Sequence, residues 1–293
     1  MLVLGPVLSR TLICFDYILS YNNAKDFKTM RIIVIGLNEQ GLQRQSTAGL
    51  DCVALTRAIH EIPVNNYDAA LICNDNDNKY AAARFALTNK KHVLLEAPIW
   101  GTSQAQLAEL EHLAATNNVV LYVAYNFRFV ADFVNLQQAL NRKQLGEIQH
   151  CRIGYAANAE NKQNGALIDL SPHLLDLLNF WFGSDIMHMN LNILHKDNYG
   201  RQIIFADFNS RFTLEIEANF LSRTNVITVE IYGTRNNLHL RYEYTDEARN
   251  RISELEYEHF QALCQKVVNR DCSVDKWIFA EIERLGHEQV LLA

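Results

Sequence analysis

The stretch Arg31-Ile-Ile-Val-Ile-Gly-Leu-Asn-Glu-Gln-Gly41 decides the fold of this chain. Its first five residues form a run dominated by β-branched apolar side chains, which is typical of a strand buried on both faces of a parallel sheet. Gly36 and Gly41 then follow at the spacing of a tight strand-to-helix turn. The stretch therefore predicts the first strand, turn and helix of an α/β domain.

Short strands and helices alternate downstream of this turn. We expect helices at 78–88 and 103–117 and further strands at 51–56, 67–73, 92–96 and 119–124. Such short alternating units indicate a doubly wound parallel sheet. The fold class predicted for 30–147 is therefore α/β, a Rossmann domain.

The pattern changes after a helix expected at 133–144. Longer strands in which apolar and polar residues alternate are expected at 148–155, 187–194, 203–209, 212–220, 225–232 and 238–244. Alternation is typical of an antiparallel sheet with one solvated face. With helices at 167–182 and from about 254 onward, it predicts an α+β domain at 148–293 with a large, mostly antiparallel sheet. The predicted boundary lies near Gly146.

Composition narrows the function classes. The chain has 293 residues, enough for two domains, and a net charge of −6 that argues against nucleic acid or an anionic membrane as the main partner. Its six cysteines are scattered without metal-ligand spacing. We therefore predict a cytoplasmic protein with reduced thiols and no zinc site.

Residues 1–29 differ from the rest of the chain. Their apolar part is interrupted by Arg10 and Asp16, so it makes a poor membrane span, and it lacks the basic start of a signal peptide. Because a strong strand opens after Met30, we predict that 1–29 is an extension outside the fold.

The turn after the first strand is a candidate phosphate site. Gly36, Asn38 and Gly41 occupy the three glycine positions of a dinucleotide-binding loop, and Glu39 opens the helix behind it. The side chain of Asn38 is expected to crowd the place where backbone approaches phosphate. A plain strand-to-helix turn is the alternative interpretation.

The end of the second strand bears on the choice of cofactor. An acidic residue there would bind the ribose hydroxyls of NAD, whereas this chain has Thr56 followed by Arg57. A hydroxyl beside an arginine suits a 2′-phosphate, so the pair favours NADP, with NAD as the alternative. Arg57 could also simply begin a solvated helix.

Five further motifs follow in order along the chain. They are His92-Val-Leu-Leu-Glu-Ala-Pro98, Leu121-Tyr-Val-Ala-Tyr-Asn-Phe-Arg128, Leu145-Gly-Glu-Ile148, Gly165-Ala-Leu-Ile-Asp-Leu-Ser-Pro-His173 and Glu230-Ile-Tyr-Gly-Thr234. Together they resemble the motifs of one enzyme family, the glucose–fructose oxidoreductase/inositol dehydrogenase (Gfo/Idh/MocA) oxidoreductases.

This resemblance implies hydride transfer between a nicotinamide and a hydroxyl or keto carbon of a sugar, nucleotide-sugar or cyclitol. It implies that Asn74 and Asn76 line the cofactor site, that Glu96 helps to hold the nicotinamide ribose, and that Asn126 lies near the ring. It also implies a homodimer or higher homo-oligomer formed through the C-terminal sheet.

Asp169 and His173 are the predicted catalytic pair. A spacing of four places both side chains on one face of a helix. Alcohol oxidation also removes the hydroxyl proton, and a histidine with a pKa of about 6.5 can accept it near neutral pH. The alternative is that both residues only solvate the start of a helix.

The chain departs from the family pattern at several positions. Ala97 replaces the lysine that lies at the reacting hydroxyl in the family, and Lys79 replaces a histidine. The family's Thr-Pro pair is Asn74-Asp75 here, and its glycine doublet is Asn164-Gly165.

Two alternatives therefore stay open beside a sugar or cyclitol dehydrogenase. One is an enzyme resembling the biliverdin reductases, which share the fold, lack that lysine and have a hydroxyl–arginine pair. The other is a catalytically weakened protein that still binds a dinucleotide.

Overall fold

The computed structural model describes residues 30–47, 49–73, 76–97, 99, 103–158, 169–183, 186–187, 190–196, 202–208, 212–269 and 272–291. In this part of the chain the first sheet consists of β1 (Arg31–Ile35), β2 (Asp51–Thr56), β3 (Ala69–Ile72), β4 (His92–Glu96) and β5 (Leu121–Ala124). All its pairings are parallel, and the strand order is β2-β1-β3-β4-β5.

The second sheet follows in the chain. It consists of β6 (Ile148–Asn158), β7 (Asn190–Lys196), β8 (Gln202–Phe208), β9 (Phe212–Ser222), β10 (Val226–Gly233) and β11 (Asn237–Glu243). Its order is β11-β10-β6-β9-β8-β7, with only the β6–β9 pair parallel among the described strands. The predicted fold class, a parallel α/β sheet followed by an α+β part with a mostly antiparallel sheet, is confirmed.

The helices of the described residues are α1 (Glu39–Gln45), α2 (Asn76–Thr88), α3 (Gln104–Asn117), α4 (Ala131–Asn141), α5 (Ser171–Phe182), α6 (Asp246–Lys266) and α7 (Ser273–Leu291). Two begin four or more residues away from their expected starts, and three others begin within two residues of them. The last helical region begins at Asp246 instead of about 254, because the Thr245 hydroxyl accepts a hydrogen bond of 3.2 Å from the Ala248 amide and caps α6.

Helix α5 begins at Ser171, after a break at Leu170. Pro172 lies in its first turn, where the fixed φ of proline suits a helix start and its missing N–H costs nothing. Asp169 therefore precedes the helix that carries His173. The expectation that one uninterrupted helix carries both residues is wrong.

Helices cover both faces of the first sheet, as burial of a parallel sheet requires. Along β1, Ile33 and Ile35 share a core with α2 and α3, while Ile32 and Val34 face the opposite side. Helix α6 covers that side with three buried side chains, Tyr257, Phe260 and Cys264. A helix from the C-terminal part of the chain thus completes the N-terminal sheet.

The second sheet has one buried face and one partly exposed face. Along β6, Cys151, Ile153 and Ala157 are buried, whereas Arg152 is partly exposed and forms ion pairs with Glu215 and Glu217 of β9. Helix α5 packs on the buried face. Dimerisation through this sheet stays a prediction, as do the domain limits at 30–147 and 148–293.

Cys73, Cys151, Cys264 and Cys272 are buried, and Cys52 is partly exposed. Cys14 and the predicted extension at 1–29 lie outside the described residues. Within the described parts of the chain, no helix combines the length and apolar character that crossing a bilayer requires. The cytoplasmic location stays a prediction.

A buried ion-pair network joins three elements of the fold. Arg44 of α1 forms ion pairs with Glu96 at the end of β4 and with Glu256 of α6, the second at 2.7 Å. The three residues are 5%, 8% and 0% exposed. Burial alone would lower the pKa of Arg44, but the two carboxylates raise it well above its usual value and keep the guanidinium charged.

Replacing the buried arginine should therefore be costly. We expect Arg44→Met to lower the free energy of unfolding by about 3–5 kcal/mol, because it leaves two buried carboxylates without a cation. Urea unfolding at pH 7 measures this loss.

The matched control is Arg84→Met. Arg84 pairs with Glu109 at 2.7 Å, but both side chains are largely exposed, so the unfolding midpoint should hardly move. Equal losses in the two variants would contradict a special contribution from the buried pair.

Candidate functional site

The predicted site residues gather at the carboxyl edge of the first sheet. The turn after β1, the end of β4 and the short helical turn after β5 all lie at this edge, because the strands are parallel. Open α/β sheets bind their ligands at this edge.

The turn after β1 needs both of its glycines. Gly36 has a φ of 129°, a conformation that glycine adopts without strain. A Cβ on Gly41 would lie 1.9 Å from the Gly36 carbonyl oxygen. The backbone therefore closes as tightly as a dinucleotide-binding loop requires, and this geometry fits such a cofactor.

The side chain of Asn38 caps the helix behind the turn, and the expected crowding of phosphate stays a prediction. Its Oδ1 accepts a hydrogen bond of 2.9 Å from the Gly41 amide and caps α1, while its Nδ2 donates to the Cys73 carbonyl at 2.6 Å. The side chain thus ties the turn to the end of β3. Glu39 points outward and lies 3.8 Å from Arg249 of α6.

A carboxylate lies at the end of β2. The Thr56 hydroxyl donates to Glu61, which follows in the next turn, and this bond is the main cause of a lowered pKa of Glu61. Arg57 is exposed beside them. The expected hydroxyl–arginine pair is therefore accompanied by an acidic group that the sequence pattern did not reveal.

The end of β4 is occupied by charged groups. The carboxylate of Glu96 is held by Arg44, and its carbonyl oxygen accepts a hydrogen bond of 3.1 Å from Lys79 Nζ. Ala97 follows as a buried apolar residue. The predicted role of Glu96 at a ribose stays a prediction; in this structure its carboxylate stabilises the network beneath the edge.

Asn126 connects the edge to the C-terminal part of the chain. Its Nδ2 donates to the Tyr244 hydroxyl at 2.9 Å, and the Tyr244 ring packs edge-on against Phe127 with the ring centroids 5.0 Å apart. Burial raises the pKa of Tyr244 to about 12, so the phenol stays protonated at neutral pH.

His173 lies in an aromatic setting at the same edge. Its ring makes edge-on contacts with Tyr125 and Phe127, at centroid distances of 5.8 and 5.4 Å. Its Nδ1 is buried and makes no hydrogen bond to any residue that the structure describes. This nitrogen therefore lacks the hydrogen bond that a buried polar atom usually makes.

Burial also controls the charge of His173. It lowers the pKa of the imidazole below the usual value, against the opposing charges of Asp176, Glu96 and Asp169, while Lys79 adds to the lowering. The ring is therefore neutral at pH 7 and can accept a proton there.

Asp176 raises the pKa of His173 more than the predicted partner, Asp169, does. It is 1% exposed and accepts two hydrogen bonds from Arg128, of 2.7 and 2.6 Å. Asp169 has a smaller effect, and its role as the catalytic partner stays a prediction. A spacing of three from His173 was the sequence signal for Asp176.

The structure thus brings Gly36, Asn38, Gly41, Glu96, Asn126 and His173 to one edge, with Thr56 and Arg57 at the end of β2. Asn74 lies outside the described residues, as does the side chain of Asn76, whose backbone begins α2. Lys79, Asp176 and Tyr244 were missed as site residues. Lys79 had a signal, a charge on the apolar face of a helix, whereas Tyr244 had none.

Two family models match the chain. One, described as an oxidoreductase family with an NAD-binding Rossmann fold (GFO_IDH_MocA), matches residues 13–125, and the GFO/IDH/MocA C-terminal domain matches 133–239.

Curated relatives match in sequence over part of their length. The uncharacterized oxidoreductase YdgJ of Escherichia coli (strain K12) is 31% identical over 128 residues, 40% of this chain and 37% of that protein. Glucose-6-phosphate 3-dehydrogenase of Bacillus subtilis (strain 168) is 24% identical over 143 residues, 42% and 40% of the two chains. These matches thus span less than half of each relative.

Solved structures share the fold over most of the chain. The crystal structure of scyllo-inositol dehydrogenase from Lactobacillus casei with bound NAD(H) and scyllo-inositol has a TM-score of 0.73, at 13% identity, and covers 89% of this chain and 98% of that one. The paired domain matches and the ordered motifs agree with this likeness: the chain belongs to the Gfo/Idh/MocA oxidoreductase family.

Proposed function

We propose that this protein oxidises a secondary alcohol of a sugar, nucleotide-sugar or cyclitol, and reduces the ketone in reverse, with a nicotinamide dinucleotide. The observation that carries this proposal concerns His173. This histidine is neutral at pH 7, and its buried Nδ1 makes no hydrogen bond to a described residue. It lies at the sheet edge where a Rossmann fold binds its dinucleotide. Relatives named for glucose 6-phosphate and scyllo-inositol support the substrate class.

Different residues of this chain would bind the cofactor and transfer the proton. The turn from Gly36 to Gly41 would hold the pyrophosphate, and Asn126 would lie beside the nicotinamide. When bound, the dinucleotide supplies a hydride acceptor, or a hydride donor in reverse. His173 takes the hydroxyl proton on Nδ1, and the aromatic rings of Tyr125 and Phe127 exclude water from the transfer.

NAD is the dinucleotide we propose, in place of the NADP that Thr56 and Arg57 favoured. The Thr56 hydroxyl donates to Glu61 and is therefore engaged, and the Glu61 carboxylate adds negative charge at the ribose end. That charge repels a 2′-phosphate and can accept hydrogen bonds from ribose hydroxyls.

Ala97 supports one further candidate function, a protein that binds the dinucleotide without turnover. Ala97 has a methyl group where the family has a lysine, so residue 97 supplies no positive charge at the end of β4. Binding with no reaction on any substrate class would favour this candidate over the dehydrogenase.

Calorimetry and turnover test the main proposal together. NAD(H) should bind with a Kd below a millimolar, and NAD⁺ with scyllo-inositol, myo-inositol or glucose 6-phosphate should yield NADH absorbance. His173→Gln should keep the Kd and lower kcat by about 10²–10⁴-fold, because it removes the proton acceptor. Absence of binding by either dinucleotide at millimolar concentration would refute the proposal.

The neutral state of His173 has a consequence for stability. Because its folded pKa lies below its unfolded value of about 6.5, its contribution to stability is present above that pH and is lost as the pH falls towards the folded pKa. His173→Gln should therefore lose less stability than the wild type between pH 7 and pH 5, as measured by urea unfolding. The exposed His112→Gln should keep the wild-type dependence.

Glu61 gives a test of cofactor choice. Glu61→Gln should raise the affinity for NADP relative to NAD by about fivefold, since it removes one negative charge near the 2′ position. Arg57→Met serves as the opposite control and should weaken NADP alone. If Glu61→Gln left the ratio of the affinities for NAD and NADP unchanged, Glu61 would not contribute to recognition of the ribose.

A further inference from the structure

Lys79 is a cation on the apolar face of α2. Among the side chains of this helix that the structure describes, the buried apolar ones are Ala82, Ala83, Ala86 and Leu87, which share a helix face with residue 79. Lys79 is itself only 4% exposed. Lysine is rarely buried to this extent unless its ammonium group serves a specific interaction.

The surroundings of Lys79 locate this charge at the candidate site. Its Nζ donates to the carbonyl of Glu96, the last residue of β4, at 3.1 Å. It also lies close enough to Cys73, at the end of β3, and to His173 to lower the pKa of both. The ammonium therefore lies at the carboxyl edge, within electrostatic reach of the proposed proton acceptor.

We propose that Lys79 supplies the positive charge at the reacting oxygen of the alcohol, an inference that rests on the proposed function. The hydroxyl proton passes to His173, the hydride leaves the carbon with both electrons of its bond for the nicotinamide, and the carbon–oxygen double bond forms. Negative charge develops on the oxygen during these steps. Lys79 exchanges no proton; it stabilises this charge as a fixed cation in a site shielded from water.

The same position makes Lys79 part of the electrostatic environment of His173. Three carboxylates also act on this ring: Asp176, Glu96 and Asp169. Asp176 is paired with Arg128, and Glu96 is paired with Arg44. All three favour the protonated imidazole, whereas Lys79 opposes it. Lys79 therefore helps to keep His173 ready to accept a proton.

The first experiment needs no substrate. The pKa of His173 is measured by NMR of the histidine rings in the full chain, with the signal assigned through its loss in His173→Gln. In Lys79→Met the pKa should rise towards the ordinary value of about 6.5, because a neighbouring positive charge is gone. Lys79→Arg should keep the wild-type value. The double variant Lys79→Met with Ala97→Lys should lower the pKa of His173 again, because residue 97 directly follows the Glu96 carbonyl and so returns a positive charge to this place.

Lys91→Met is the matched control. Lys91 also donates to a main-chain carbonyl, that of Tyr67 at 2.8 Å, but it lies at the amino end of β4, where it lowers the pKa of His92. This variant should raise the pKa of His92 and leave that of His173 unchanged. A purely structural role of Lys79 would leave the pKa of His173 unchanged in every variant and would overturn the inference.

Turnover gives the second readout. With NAD⁺ and scyllo-inositol, myo-inositol and glucose 6-phosphate as probes, Lys79→Met should lower kcat by about 10²–10³-fold while the Kd for NAD stays constant. Lys79→Met with wild-type kcat would overturn the inference and leave the proposed function intact. A wild-type protein that binds no dinucleotide would instead refute the proposed function itself.

Discussion

The ion pairs of Arg44 hold the site together. Placing one guanidinium and two carboxylates in a protein interior costs several kcal/mol for each ion, and only close pairing offsets that cost. Arg44 meets this condition by contacting Glu96 and Glu256 at once. The helix behind the Gly36–Gly41 turn, the end of β4 and helix α6 are consequently fixed relative to one another.

Much of the first sheet could be predicted from local pattern. A strand buried on both faces is apolar over most of its length, and β1 and β4 have the bounds that this pattern predicts. β2 also has its predicted bounds, although most of its residues are only partly buried. The helix that covers the second face could not be predicted. Tyr257, Phe260 and Cys264 mark an apolar stripe on α6, but a stripe does not reveal which sheet it will cover. That information is non-local, because it depends on how the whole chain folds back.

Local sequence pattern also predicts only part of the candidate site. Gly36 and Gly41 were visible because tight turns demand glycine, and His173 was visible through a family resemblance. Asp176 was marked only by its spacing of three from His173. Tyr244 reaches the edge from a segment that is distant in sequence from the turn, and nothing in its own neighbourhood marks it. The capping role of Asn38 was also missed, since one of its two hydrogen-bond partners, the Cys73 carbonyl, is distant in sequence.

The path of α6 has a consequence for biosynthesis. A ribosome releases residues 30–147 long before residue 266, so the apolar face lined by Ile32, Val34 and Leu71 is made without its cover. The N-terminal sheet therefore cannot finish folding before α6 is synthesised, which happens only when nearly the whole chain has emerged. In the interval that bare face is a natural target for chaperones that bind apolar surface. A fragment that ends near Gly146 would lack α6, so this apolar face of its sheet would stay uncovered.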